Sequence, residues 1–345
     1  MIRTFHRRFP NAGIHVRGSI PTWFVEASLC GVPVTTSEVS LDVGVVQANS
    51  VVQDVPATRA AVDALLARRS ALVAAERSFL RAVGASCVLS DIPALPLVAA
   101  AQEGVPSVAM SNFSWDWIYE ELSMQHQALA FAEDYAYADV LLRLPFHGGT
   151  PACRAFRRVE DVPLVARHAS HEPRYTRRCL GVDTQAPLVL VTFGGLGPGA
   201  IAWNGLAALR DYRFVVTPPA PPLALDHVHV IDNARLRSEG LCYADLVAAS
   251  DVVVSKPGYG IVSECIANET RLLYTSRGRF AEYPVLVEGL RQYAVSDFIP
   301  PEYLERGAWE PFLRALLDRP PKPPAIPING ADEVVIRLAA ALSAS

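Results

Sequence analysis

The sequence predicts an α/β protein built from two parallel-sheet domains that face each other across a cleft. Three observations carry that reading. At 345 residues the chain is too long for one ordinary core. Short apolar strands alternate with amphipathic helices, which is the spacing of βαβ units. The alternation is interrupted once, over residues 145–186, where Pro, Gly, His and Arg crowd together without periodicity, and then it restarts. The expected organisation is an N-terminal domain over 1–150, a connection over 151–186, a second domain over 187–330 and a closing helix over 331–345.

In the first half, "GIHVRGS" (13–19) reads as a strand. Residues 55–84 read as one long helix, with apolar residues recurring at three and four and Gly84 as its C-terminal stop. "ASCVLSD" (85–91) is a strand with a polar end, "ALPLVAAAQEG" a short helix, and "PSVAMSN" (106–112) the next strand. Ligands of parallel sheets bind beyond the carboxyl ends of strands, which draws attention to Ser90, Asp91, Ser111 and Asn112. In the second half, strands are expected at 187–195, 212–218, 227–232, 246–256 and 269–276. A helix follows over "YPVLVEGLRQYA", then a stiff proline-rich strap, "RPPKPPAIPING" (319–330), and a terminal helix over "GADEVVIRLAAALSA".

Composition narrows the function. A net charge of −4 argues against a nucleic-acid partner, which demands a basic face. No stretch reaches the ~18–20 apolar residues of a membrane span, and the start has no apolar signal region, so neither a span nor a signal peptide is expected. Six scattered cysteines form no CxxC pair and no metal-ligand spacing, the usage expected of a reduced, cytoplasmic protein. His168 and His171 lie outside any HExxH frame, so neither a metal nor a cofactor is expected. There is no GxSxG elbow for hydrolase chemistry.

Two glycine-rich stretches follow strands. "TFGGLGPG" (192–199) contains Gly194 and Gly195, and "SKPGYGIVSE" (255–264) contains Gly258 and Gly260. Bare backbone serves either a tight turn or a closely approaching ligand, and a helix starting near Gly260 would add free N–H groups and a dipole suited to a phosphate. Neither stretch matches GxxxxGK[ST] or GxGxxG with a distant acid, which sets aside a P-loop kinase and disfavours a dinucleotide oxidoreductase. Glu264 either complements the helix dipole or accepts hydrogen bonds from a ribose diol.

The run from Ser250 to Leu290 resembles the nucleotide-sugar-binding half of GT-B glycosyltransferases. More narrowly, "SNFSWDWIYEE" (111–121), "AEDYAYADVLLRLPF" (132–146), "VEDVPLVAR" (159–167) and "SKPGYGIVSE" are similar to the glycosyltransferase-like N-terminal region of L-arabinokinases and their bacterial relatives. The resemblance covers nearly the whole chain. It implies two Rossmann-like domains of GT-B type, with a nucleotide-sugar, a UDP-sugar, held by the second as substrate rather than cofactor. Within that domain it implies Gly194, Gly195, Gly258 and Gly260 on the diphosphate and Glu264 on the ribose. Lys256, Tyr259 and Ser263 of the same motif join the donor-contacting set, and "VIDNARL" (230–236) stands where relatives line the base. Glu282 and Tyr283 occupy the place of an Asp/Glu–Gln pair that reads the sugar; tyrosine there departs from the pattern.

A second departure is at the start. Relatives begin with a strand and a GHGFGH-type loop, whereas "MIRTFHRRFPNAGIHVRGS" resembles the tail of the helix after it. His6 has no glycine neighbours and does not replace the loop's histidine. The expectation is an N-terminal domain without its first strand and loop, through a truncated or mis-assigned start or through loss of that part of the acceptor site. No sugar-kinase domain follows, so arabinose phosphorylation is not implied. For catalysis the first domain offers Asp91, at a strand end, and Asp116, between Trp115 and Trp117. Asp91 could instead cap a helix, and the tryptophans could stack on a sugar or belong to the core. The leading expectation is a metal-independent hexosyltransferase with an unread acceptor. The alternatives are a non-catalytic nucleotide-sugar binder and a nucleotide-sugar 2-epimerase-like enzyme.

Overall fold

The computed structural model describes the chain apart from residues 30, 48–52, 183–184, 194–200, 222 and 344–345. Among the described residues the strands form three parallel sheets. Strands β1 (His15–Gly18) and β2 (Thr35–Glu38) pair with each other. The first lobe is centred on β3 (Val88–Ser90), β4 (Ser107–Ser111), β5 (Val140–Arg143) and β6 (Val159–Asp161), in that order. The second holds β7 (Leu188–Val191), β8 (Arg213–Val216), β9 (Val228–Val230), β10 (Val252–Ser255), β11 (Arg271–Tyr274) and β12 (Ser296–Phe298), ordered β12-β11-β10-β7-β8-β9. The central strands β4, β7 and β10 are buried along their whole length, which is why they read as unbroken apolar runs rather than alternating ones.

Several elements differ from the sequence reading. The helix expected over 55–84 is two, Val55–Ala67 and Arg69–Val83, broken at Arg68. Arg69 is held by the buried carboxylate of Asp134 just past the break, and Gly84 does end the second helix in the left-handed conformation. The strand expected over 246–256 begins only at Val252, because Tyr243–Ala249 is a helix; its alanines and leucine serve either structure. Residues 151–186, expected as a plain connection, supply the edge strand β6 of the first sheet and a helix, Pro173–Leu180, that packs beside Tyr243–Ala249.

The lobes are joined at both ends of the second. The terminal helix Gly330–Ser343 returns to the first lobe, where Val334 and Leu338 pack against Val108, Met110 and Leu142. The proline strap before it is pinned by two backbone bonds: Leu164 N to Pro327 O at 2.9 Å and Gly330 N to Leu164 O at 3.1 Å. A Cβ at Gly330 would stand 2.2 Å from the Pro163 carbonyl, so only glycine allows this approach. Elsewhere along the seam Phe280 of the second lobe joins the first lobe's core, and Phe146 lies against the Cα of Gly289.

Candidate functional site

The carboxyl ends of the second sheet's strands open onto a cavity of about 770 Å³. Thr192 and Phe193 follow β7, Thr217 and Pro218 follow β8, Ile231 and Asp232 follow β9, Lys256 follows β10 and Arg277 follows β11, and all line it. Pro21, Trp23, Phe24 and Ser28, from the helix Thr22–Leu29 and its approach, also line it, with Arg3. Among the described lining residues Arg3, Arg167, Arg237, Lys256 and Arg277 are basic, and only Asp232 and Glu264 are acidic. A concave wall of that charge attracts anions.

The helix Tyr259–Ala267 starts at this cavity. Gly258 is its N-cap, with φ −130° and no side-chain cap, so the first-turn N–H groups have no capping side chain. Neither Gly258 nor Gly260 has the positive φ that would require glycine, and a Cβ on either would meet nothing within 4 Å. The protein's own backbone and packing therefore give no reason for these glycines. Both line the cavity, where the room above them is open to a ligand. Burial and the neighbouring charge of Arg277 push the Lys256 ammonium below its usual range, and its Nζ lies 3.5 Å from Gln47 Oε1. Gly194 and Gly195 lie outside the described residues.

Glu264 is buried and lines the cavity, with Oε1 accepting from Arg167 Nε. It lies beyond the first turn of the helix, which carries no acid, and this weakens the alternative that it complements the helix dipole. Burial pushes its carboxyl above the ordinary range while Arg167 pulls it back. The Arg167 guanidinium sits 5.2 Å over the Tyr243 ring, and the Tyr243 hydroxyl is 2.9 Å from Thr192 Oγ1. Of the segment 230–236, expected near the base, Ile231, Asp232, Asn233, Ala234 and Leu236 line the cavity and Val230 and Arg235 do not; Asp232 is also a helix cap, accepting from Arg235 N at 2.7 Å.

Other expected residues stand elsewhere. Ser263 is buried, its hydroxyl donating to the Gly260 carbonyl at 2.9 Å rather than facing the cavity. Tyr259 packs at the lobe junction beside Phe146. Glu282 is buried in the seam: Oε1 accepts from Asn112 Nδ2 at 2.8 Å and Oε2 from Arg277 Nη1 at 2.6 Å. Tyr283 opens onto a separate depression with Tyr274, Val287 and Phe298. Asp116 requires the plainest correction. Its residue is fully buried, neither carboxylate oxygen has a hydrogen-bond partner, and burial pushes its carboxyl up. The first five residues of its helix, Trp115–Glu121, are all buried, so the flanking tryptophans are core and Asp116 is sealed beneath the cleft. Asp91 keeps contact with water at the end of β3, though protein surrounds it on most sides. That burial, with the Asp42 charge, pushes its carboxyl up to about 6, and its own charge reaches Tyr259 of the second lobe.

Set against solved structures, the chain superposes over 99% of its length on spinosyn forosaminyltransferase, with a TM-score of 0.57 at 13% identity and 94% of that chain covered. A UDP-glucosyltransferase from Polygonum tinctorium matches at TM-score 0.57 and 16% identity, over 99% of this chain and 89% of the other. The fold is that of the GT-B glycosyltransferases. In sequence, this GT-B chain is 29% identical to L-arabinokinase of Arabidopsis thaliana over 320 residues, which is 89% of the chain but 30% of that protein. It is 28% identical over 246 residues to an uncharacterised glycosyltransferase of Methanopyrus kandleri, over 67% of this chain and 68% of the other. No family model matches. Among the described residues no helix is long and apolar enough to cross a membrane, and no group of three or more His, Cys, Asp or Glu is placed to hold a metal ion.

Arg167, Tyr243 and Arg277 were not expected from the sequence. Arg277 follows β11 in "YTSRGRF", where the strand-end rule would have found it. Arg167 closes "VEDVPLVAR", one of the stretches that carry the resemblance, but an arginine in an arginine-rich connection has no local pattern that would give it a role.

Proposed function

We propose that the chain binds a nucleotide-sugar, a UDP-sugar, in this cavity and transfers its hexosyl group to an acceptor presented by the first lobe. The observation that carries the reading is the pair Gly258 and Gly260: bare backbone that the fold itself does not require, at an uncapped helix start, beside Lys256. Free amides, a helix dipole and an ammonium together suit a diphosphate. Glu264 would accept from the ribose, and the lining residues of the segment 230–236, Ile231 to Ala234 and Leu236, would flank the base. The acceptor hydroxyl would attack the anomeric carbon as the bond to the diphosphate breaks, with Asp91 taking the proton and the second-lobe cations and amides receiving the leaving charge without a metal. The names of the Methanopyrus and Polygonum proteins support transferase chemistry and a UDP donor respectively. The unbridged described cysteines fit a cytoplasmic setting.

One observation favours a second reading, a nucleotide-sugar binder without turnover: Asp116 is sealed, which leaves Asp91 as the only one of the two expected carboxylates that can meet an acceptor. Calorimetric titration of the chain with UDP-, GDP- and dTDP-sugars tests the shared core of both. Saturable binding of a UDP-sugar is expected. A folded protein that binds none of them would end both readings.

A further inference from the structure

Arg277 stands where the cavity meets the seam between the lobes. One side of it lines the cavity. Its Nη1 donates to Glu282 Oε2 at 2.6 Å and to the Pro257 carbonyl at 3.2 Å, and its guanidinium carbon lies 4.0 Å over the Phe280 ring. Its Nε is buried without a hydrogen-bond partner. Glu282, in turn, is fixed from the other lobe by Asn112, whose Nδ2 also donates to the Phe146 carbonyl at 3.2 Å. Glu282 and Asn112 are 2% and 3% exposed, so this clamp is shielded from water and competing ions. An arginine needed only to neutralise Glu282 could sit wholly in the seam. This one is braced against the phosphate-suited loop through Pro257 and reaches the cavity beside Lys256.

We infer that Arg277 is a ligand of the donor's diphosphate, supplied with Lys256 as a pair of cations, and that Glu282 is a positioning residue that aims it from the lobe junction. The inference rests on the nucleotide-sugar reading above and adds to it a residue and a route by which the first lobe, through Asn112, reaches the donor. A guanidinium already held on two sides loses little freedom when an anion arrives, and its charge acts in a partly dry wall.

The test is a ladder of probes, uridine, UMP, UDP and inorganic pyrophosphate, titrated into the wild-type chain and into Arg277→Ala, Arg277→Lys and Glu282→Gln. The wild type should gain affinity from uridine to UDP. Arg277→Ala should lose roughly 10–100-fold of that gain, the range of a charge-assisted hydrogen bond, while its uridine affinity stays unchanged. Arg277→Lys, which cannot brace on both Glu282 and Pro257 and still reach the ligand, should lose part of it and covers the case in which the alanine variant fails to fold. Glu282→Gln should reduce the gain with little change for uridine, a pattern that mere loss of stability would not produce. If the wild type shows the gain and folded Arg277 variants keep all of it, this inference is overturned while the nucleotide reading stands. Binding of pyrophosphate but not of uridine nucleotides would remove only the choice of base, and the Arg277 comparison would then be made on pyrophosphate. Binding of no probe by the folded wild type would remove both.

Discussion

In the second lobe, the residues that follow β7 through β11 face open space; in the first, the residues at the ends of β3 and β4 are closed off. Ser90 donates to the Pro93 carbonyl at 2.6 Å, Ser111 is buried, and Asn112 is committed to Glu282 and Phe146. Both sets obey the same rule, that polar side chains gather where parallel strands end. The rule locates the end of the sheet that faces the other lobe, and it does not say whether a given side chain there meets a ligand or the neighbouring lobe. Asp91 is the exception in the first lobe, since water reaches it.

That exception gives the largest expected effect. If Asp91 is the acceptor's base, Asp91→Asn should lower kcat by about 10²–10⁴-fold with donor affinity unchanged, and wild-type kcat/KM should rise with pH on an apparent pKa near the value of about 6. Stability moves the opposite way. A carboxyl whose folded pKa is raised favours the folded state while protonated, so its contribution is lost as pH climbs from 3.8 toward about 6. Asp91→Asn should therefore raise the Tm at pH 7 and leave it unchanged near pH 3, which thermal melts at the two pH values would show. Unchanged turnover in the variant would make both lobes' strand ends non-catalytic and erase the contrast.

A middle-sized effect is expected at Glu264. Glu264→Ala should weaken nucleotide binding by roughly 10-fold through the lost ribose contacts. Its partner Arg167 is 39% exposed and water can take over its solvation, so the loss of stability should stay near ~1 kcal/mol. Calorimetry beside a denaturant melt separates the two; a large stability loss with intact affinity would assign Glu264 to the fold. The smallest effect is the most discriminating. Gly260→Ala fills empty space on a helix and should stabilise the protein by ~0.5–1 kcal/mol while weakening diphosphate binding several-fold. A variant that is less stable but binds as well would return this loop to a purely structural role.

The sheets were legible because fully buried parallel strands are written as apolar runs, as in "VLVT" and "DVVVS". The loop after β10 was legible because proline and two glycines interrupt such a run. Asp116 is illegible for a related reason: a short helix buried over its first five residues has no polar face there to betray it, and a carboxylate between two tryptophans reads equally as cleft or core. The helix break at Arg68 has no proline or glycine to mark it, and the residue that holds Arg69 lies 65 positions away. Glu282, expected on the donor sugar, lies in the seam instead, and its partner there, Asn112, is 170 residues distant, a pairing that no local pattern records.

The strap and the connection before the second lobe cross between the lobes side by side, bonded to each other where Leu164 meets Pro327 and Gly330. Two crossings fastened together along one edge make a door hinge rather than a pair of separate tethers. Loss of either bond would leave two independent tethers, so this edge is where the spacing of the lobes is fixed. Gly330, with no room for even a methyl group, is the knuckle of that hinge.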